Sequence, residues 1–240
     1  MKSIKLLTLL FVLSISGAYA QTADELVNKY VVAMGGADKL KALKTAYNEG
    51  SVEVQGMEFP LKVWKIQSQA MRMEFDAMGS TNIQVITKNG GWTLMPVQGQ
   101  SEPTALDSSK AKLMESQLSI NGELYDYKAN GKRVESLGKE TIDGVNAYKL
   151  KVTSKDGVEG IAYLDATTYY LIRTENHVTV PGQDAPMDVI VKMSDYKKTE
   201  DGYSYPSVTE QPASGVKILI TKAEYNKPVD DSLFKMPASK

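Results

Sequence analysis

From about residue 45 onward the chain consists of short runs with an apolar side chain at every second position, separated by tight-turn residues. Alternation of this kind commits a segment to a strand with one buried face, because successive strand side chains point to opposite sides. The expected strands cover about 45–56, 58–67, 70–78, 82–88 and 91–96, then 133–139, 145–154, 158–165, 168–180, 187–196, 203–211 and 215–225. Gly56, Gly79, Asn89-Gly90-Gly91, Asp143-Gly144, Asp156-Gly157, Pro181-Gly182 and Asp201-Gly202 supply turns between them. Connections this short join antiparallel neighbours, since a parallel pair needs a crossover of a dozen or more residues. The expectation is a mainly β chain forming a single domain over 21–240, with no repeat or linker dividing it.

A leader and a helix stand ahead of the strands. Lys2 and Lys5 precede an apolar run, Leu6 to Ile15, that is too short to span a bilayer, and "AYAQ" places Ala18 and Ala20 in a small-x-small cleavage pattern. Residues 1–20 therefore read as a cleavable secretory signal, with Gln21 as the first mature residue. The chain has no cysteine, so an exported form has neither a disulfide nor a cysteine-linked lipid anchor and must rely on an ordinary apolar core. In "TADELVNKYVVAMGG", Thr22 and Glu25 occupy capping-box positions, Leu26, Tyr30 and Ala33 share a face, and Gly35-Gly36 ends the helix. "ADKLKALK" adds a short turn through Leu40 and Leu43. A further helix is expected over 106–120, where Ala111, Met114 and Leu118 form one narrow apolar stripe.

Charge and residue inventory narrow the function. Removing Lys2 and Lys5 takes the formal net charge from -1 to -3, and the cations are scattered, unlike a nucleic-acid footprint. The single histidine, His177, sits late in a strand beside a turn, and with no cysteine a transition-metal site would rest mainly on carboxylates. Asp230-Asp231 and Glu200-Asp201 lie in turn-like contexts, and Gly35-Gly36 and Gly90-Gly91 lack the Lys-Ser/Thr that a phosphate loop requires. No nucleophile with its base is evident, so a binding or carrier protein is expected rather than an enzyme, with no cofactor and no metal. A hydrolase built on a carboxylate pair is the reading from another class, since such a pair is spatial and leaves no spacing signature.

The stretch "MEFPLKVWKIQSQAMRMEFDAMG", 57–79, is the best candidate surface. Met57, Phe59, Leu61 and Val63 alternate with Glu58, Pro60 and Lys62, and Met71, Met73, Phe75 and Ala77 alternate with Arg72, Glu74 and Asp76. Such faces ordinarily form the core of a sheet. Methionine, flexible and polarisable, also suits a surface that accommodates varied apolar partners. Trp64 and Ile66 fall on the opposite parity from Val63, which calls for a bulge near 63–64 or burial on both sides of the strand.

"MRMEFDAMGSTNIQVITKNGGWTLMP" resembles a stretch of the LolA-like lipoprotein carriers, through Met71 to Phe75, Gly90, Gly91, Trp92 and Pro96. "IDGVNAYKLKV" and "YLDATTYYLIRTE" are similar to paired strands of that family, and "YNKPVDDSLFKMP" to its closing strand and tail, so the likeness runs from Ala23 to Pro237. The resemblance implies an open, half-closed antiparallel β-barrel of about ten to eleven strands under a helical lid. It also implies a periplasmic carrier shielding acyl chains of a lipoprotein or related lipid on the way to the outer membrane, with an inner-membrane release complex and an outer-membrane acceptor as partners. A lipid-sensing or protein-docking module of the same fold is the alternative. Met57, Phe59, Leu61, Val63, Met71, Met73, Phe75 and Trp92 would then line the cavity, and Ala111, Met114 and Leu118 would carry the lid. The family's Arg-Pro pair, which helps hold the lid shut, is replaced here by Gln67-Ser68 at the approximate position.

Overall fold

A computed structural model describes residues 21–178 and 187–238. The expected leader and the Pro181-Gly182 turn lie outside the described residues. Helices α1 (Ala23–Ala33) and α2 (Ala37–Lys41) precede strands β1 (Thr45–Val54), β2 (Met57–Ile66), β3 (Ala70–Ala77), β4 (Ser80–Thr87), β5 (Gly90–Leu94) and β6 (Thr104–Ala105). Helix α3 (Ser108–Leu113) and a 3-10 turn (Glu115–Leu118) follow. The chain continues through β7 (Arg133–Ile142), β8 (Val145–Thr153), β9 (Glu159–Asp165), β10 (Leu171–Val178), β11 (Met187–Lys198), β12 (Ser204–Gln211) and β13 (Val216–Tyr225) to a last 3-10 turn (Asp231–Phe234), and another short 3-10 turn (Pro96–Gln98) lies between β5 and β6.

The thirteen strands form one antiparallel sheet in the order β6-β5-β4-β3-β2-β1-β13-β12-β11-β10-β9-β8-β7. β6 and β7 are unpaired edges, so the barrel is open. The resemblance implies about ten to eleven strands and the alternation gives twelve; the thirteenth forms because two residues of the loop after β5 pair back onto it as β6, with Trp92 opposite Ala105. The turns are legible from their residues. Gln55-Gly56, Met78-Gly79 and Asp143-Gly144 each hold two consecutive positive φ angles, the twist that best matches a two-residue hairpin.

Topology decides what covers the barrel. Every strand is hydrogen-bonded to its successor except at one step, from β6 on one edge to β7 on the other. The connection that makes this step carries α3 and the 3-10 turn at Glu115–Leu118, and it crosses the apolar inner face. Helix α1 packs elsewhere on that face. Its capping box forms as read, with Thr22 accepting from the Glu25 amide and Glu25 accepting from the Thr22 amide, and Leu26, Val27, Tyr30 and Val31 are buried. They join Leu40, Leu43, Leu124, Tyr127, Tyr148, Leu150 and Leu164 in the larger apolar cluster.

The predicted helix over 106–120 forms only in part. Asp107 caps α3 by accepting from the Ser109 and Lys110 amides, and the chain tightens into the 3-10 turn after Met114. Serines at 108, 109, 116 and 119 compete with the backbone for hydrogen bonds and support a long helix poorly.

Candidate functional site

Strand register fixes which side chains share the inner face. Val52 pairs with Phe59, Gly50 with Leu61, Leu61 with Phe75, Val63 with Met73, and Met71 with Ile86. Val52, Leu61, Val63, Met71, Ile86, Leu118 and Ile220 are buried together, with Phe59, Met73, Phe75, Leu106 and Met114 packed partly buried against them. The Phe59 and Phe75 rings meet at 6.5 Å between centroids. Leu106, Met114 and Leu118 come from the crossing connection and occupy the face. Leu106 fits because position 91 is glycine, where a Cβ would sit 2.8 Å from the Leu106 Cδ1.

Six of the eight sequence-predicted lining residues are thus brought together. Met57 keeps the correct parity, opposite Val54, but is about half exposed at the strand end. Trp92 requires correction, for it lies on the other side of the sheet. It pairs with Val85, packs with Ala70, Val85 and Phe234, and donates from Nε1 to the Phe234 carbonyl at 3.1 Å. The Arg72 guanidinium sits 5.5 Å from its ring and donates to the Leu233 carbonyl at 2.7 Å. This outer cluster also resolves the parity of Trp64 and Ile66, which pack against it. Strand β2 has no bulge, and its register runs unbroken on both sides. Burial on both faces is the cause. The predicted lid residues differ among themselves: Ala111 and Leu118 are buried, whereas Met114 is only partly so.

The cover is tied down at one rim. Ser68 donates its amide to the Leu118 carbonyl at 3.0 Å, the Ile120 amide donates to Gln67 Oε1 at 2.6 Å, and Gln67 Nε2 donates to Asn121 Oδ1 at 2.8 Å. Gln67 and Ser68 therefore hold the cover through uncharged hydrogen bonds. Beside them opens a polar recess of about 540 Å³ lined by Gln67, Ser68, Gln69, Thr87, Lys88 and Asn89. Water that close places each tie at the low end of hydrogen-bond worth, about 0.5–1 kcal/mol.

Lys65 is a further candidate site residue, absent from the sequence-predicted set. It follows Met57, Phe59, Leu61 and Val63 on the inward parity, opposite Ala46 and Met71, and its ammonium donates to the Gln117 carbonyl of the cover at 2.8 Å. Part of its side chain still meets water, yet desolvation pushes its pKa down from 10.5 to about 8. The available signal was a charge on an otherwise apolar parity. Gln84, also inward, lies with its Nε2 3.9 Å from the Met114 sulfur.

His177 is exposed and paired with Asp188 across β10 and β11, away from this cluster. Among the described residues no group of three histidines or acids gathers as a metal site would require, and no helix is long and apolar enough to cross a membrane.

No family model matches the chain, and no curated protein matches it by sequence. Solved structures do. A DUF1329 family protein from Desulfovibrio piger superposes with a TM-score of 0.57 at 18% identity, covering 89% of this chain and 97% of its own. A LolA superfamily protein from Nitrosomonas europaea gives 0.56 at 14%, covering 90% and 98%. The fold is LolA-like. A putative outer membrane lipoprotein-sorting protein domain from Vibrio parahaemolyticus agrees, at 0.56 and 13%, covering 88% and 94%. At these identities the likeness is one of architecture. The LolA-like fold thus comes with this chain's own inner face, its uncharged ties and its inward lysine.

Proposed function

We propose that this chain, exported through a leader at 1–20 and folded as one domain over 21–240, is a periplasmic carrier that shields the acyl chains of a lipoprotein or related lipid. The observation that carries this reading is the Met, Phe and aliphatic inner face of β1 to β4, covered only by a short helix and a 3-10 turn. Burying Leu118 is worth about 1.5–3 kcal/mol, and the partly buried Leu106 and Met114 contribute less. Each acyl methylene removed from water is worth about 0.8 kcal/mol, so a chain of about a dozen methylenes outweighs the side chains it displaces. Ligand and cover compete for one surface, and binding shifts the population toward an open cover. No covalent chemistry enters this reading. The name of the Vibrio domain, with its lipoprotein-sorting role, supports the cargo class and the outer membrane as destination. An inner-membrane complex that releases cargo and an outer-membrane acceptor complete the route.

Placing a charge on the inner face tests the reading. Met73→Glu and Leu61→Lys should each weaken binding of a fluorescent fatty-acyl probe at least tenfold while the strands stay folded by circular dichroism. Unchanged binding in both folded variants would remove this face from the function. Native mass spectrometry of the protein from its own periplasm then separates cargo types. Co-purified lipoprotein supports transport, and free lipid alone favours a lipid-sensing module.

A further inference from the structure

Lys65 is the one charged residue among the inward positions of β1 to β5 and β13. Its partners across the sheet, Ala46 and Met71, are apolar and buried, and no carboxylate of the described residues accepts from it. Its ammonium is held instead by a backbone carbonyl of the very segment that an entering ligand would displace. A partly desolvated cation is costly without an opposite charge, and a carbonyl dipole compensates it less than an anionic oxygen does. Lifting the cover therefore removes the partner of Lys65 at the moment the apolar face becomes available. The strand orders these features by polarity, with the cation at 65 and Val63, Leu61, Phe59 and Met57 following on the same face. That is a run of about 26 Å at roughly 3.3 Å per residue.

We infer that Lys65 is a head-group residue and that this face receives an anionic amphiphile, whose carboxylate or phosphate oxygen replaces the Gln117 carbonyl while its acyl chain runs along β2. The inference rests on the proposed lipid binding and specifies its ligand class. A neutral acyl chain would leave the ammonium without a partner once the cover lifts. An anionic head supplies one, and it sets which end of the ligand lies under the 3-10 turn.

The test measures displacement of a fluorescent acyl probe from the full exported chain by hexadecanoic acid, hexadecyl phosphate and hexadecanol at pH 7, each below its aggregation limit. One or both anionic ligands should bind about tenfold or more tightly than the alcohol, the worth of one charge-assisted hydrogen bond. Which anion prevails distinguishes a carboxylate from a phosphate source. Lys65→Met should abolish the preference while keeping affinity for the alcohol, and Lys65→Arg should retain it. Equal affinity for all three ligands in the wild type, or a preference that survives Lys65→Met, overturns the head-group role and leaves the carrier reading intact. Failure of the wild type to bind any of the three ligands overturns both. Denaturation midpoints of the two variants, matched to wild type, confirm that the comparison is made on folded protein.

Discussion

The inner face has two halves that are covered in different ways. Over β7 to β10 the cover is α1, an eleven-residue helix with a complete capping box, four buried side chains and polar ties to its surroundings. Tyr127 donates to Asp24, Lys29 donates to the Tyr169 hydroxyl at 3.1 Å, and Ser204 donates from its hydroxyl to the Ala33 carbonyl at 2.8 Å. Tyrosine is frequent there, with stacked pairs at Tyr148–Tyr169 and Tyr170–Tyr196. Over β1 to β4 the cover is six residues of helix and a 3-10 turn, with one fully buried anchor, Leu118, among its apolar contacts to the strands. Tyrosine hydroxyls need fixed partners when buried, which suits a permanent plug. Methionine and phenylalanine make no such demand, so their surface can exchange one apolar partner for another. The first half is a core, and under the proposed function the second is a core whose cover a ligand replaces.

The largest effect should come from the permanent half. Leu26, on the inward side of α1, is fully buried, and Leu26→Ala should lower global stability by about 2–5 kcal/mol in urea denaturation. A loss below about 1 kcal/mol would mean that α1 is as separable as the other cover and would erase the contrast. Next in size is Met114→Asp, which sets a carboxylate against the apolar face at about 1–3 kcal/mol. Amide exchange should rise across 106–121 and stay low in α1 and the strands, because the opening is local. Equal acceleration in α1 would show the two covers unfolding as a unit. Smaller still is Gln67→Ala, which removes the ties to Ile120 and Asn121. About 1–2 kcal/mol of closure is lost, and bound probe should leave faster in stopped-flow displacement.

How far the residues alone revealed this arrangement depends on the range of the interactions involved. Strand parity and hairpin turns are local, so the inner positions of β2 and β3 were legible from alternation, and so was the capping box of α1. Trp92 was misplaced because its partner, Phe234, lies on a tail 142 residues away, and nothing near position 92 marks the outer face as buried. The same tail accounts for Trp64 and Ile66. The predicted 106–120 helix is weakened locally by its serines, and the hydrogen bonds from Ser68 and to Gln67 that hold the chain at 118–120 come from residues distant in sequence. Lys65 shows its inward parity in the sequence, but a lysine on a strand is normally solvated, so nothing local marks it as part of the site.

The smallest expected effect on ligand handling concerns the other side of the same strands. β2 to β5 have two apolar faces, and the contrast between halves applies only to the inner one. The outer one is closed by the chain's own tail, through the Trp92 indole on the Phe234 carbonyl and the Arg72 guanidinium on the Leu233 carbonyl. Trp92→Phe keeps the aromatic packing and deletes one neutral hydrogen bond, so stability should fall by only about 0.5–1 kcal/mol. Probe affinity and exchange across 106–121 should be unchanged, since the indole packs in the outer cluster with Ala70, Val85 and Phe234. A tenfold loss of affinity with normal circular dichroism would return Trp92 to the ligand surface. It would also mean that the two faces of these strands respond together and that the replaceable cover is coupled to the tail behind it.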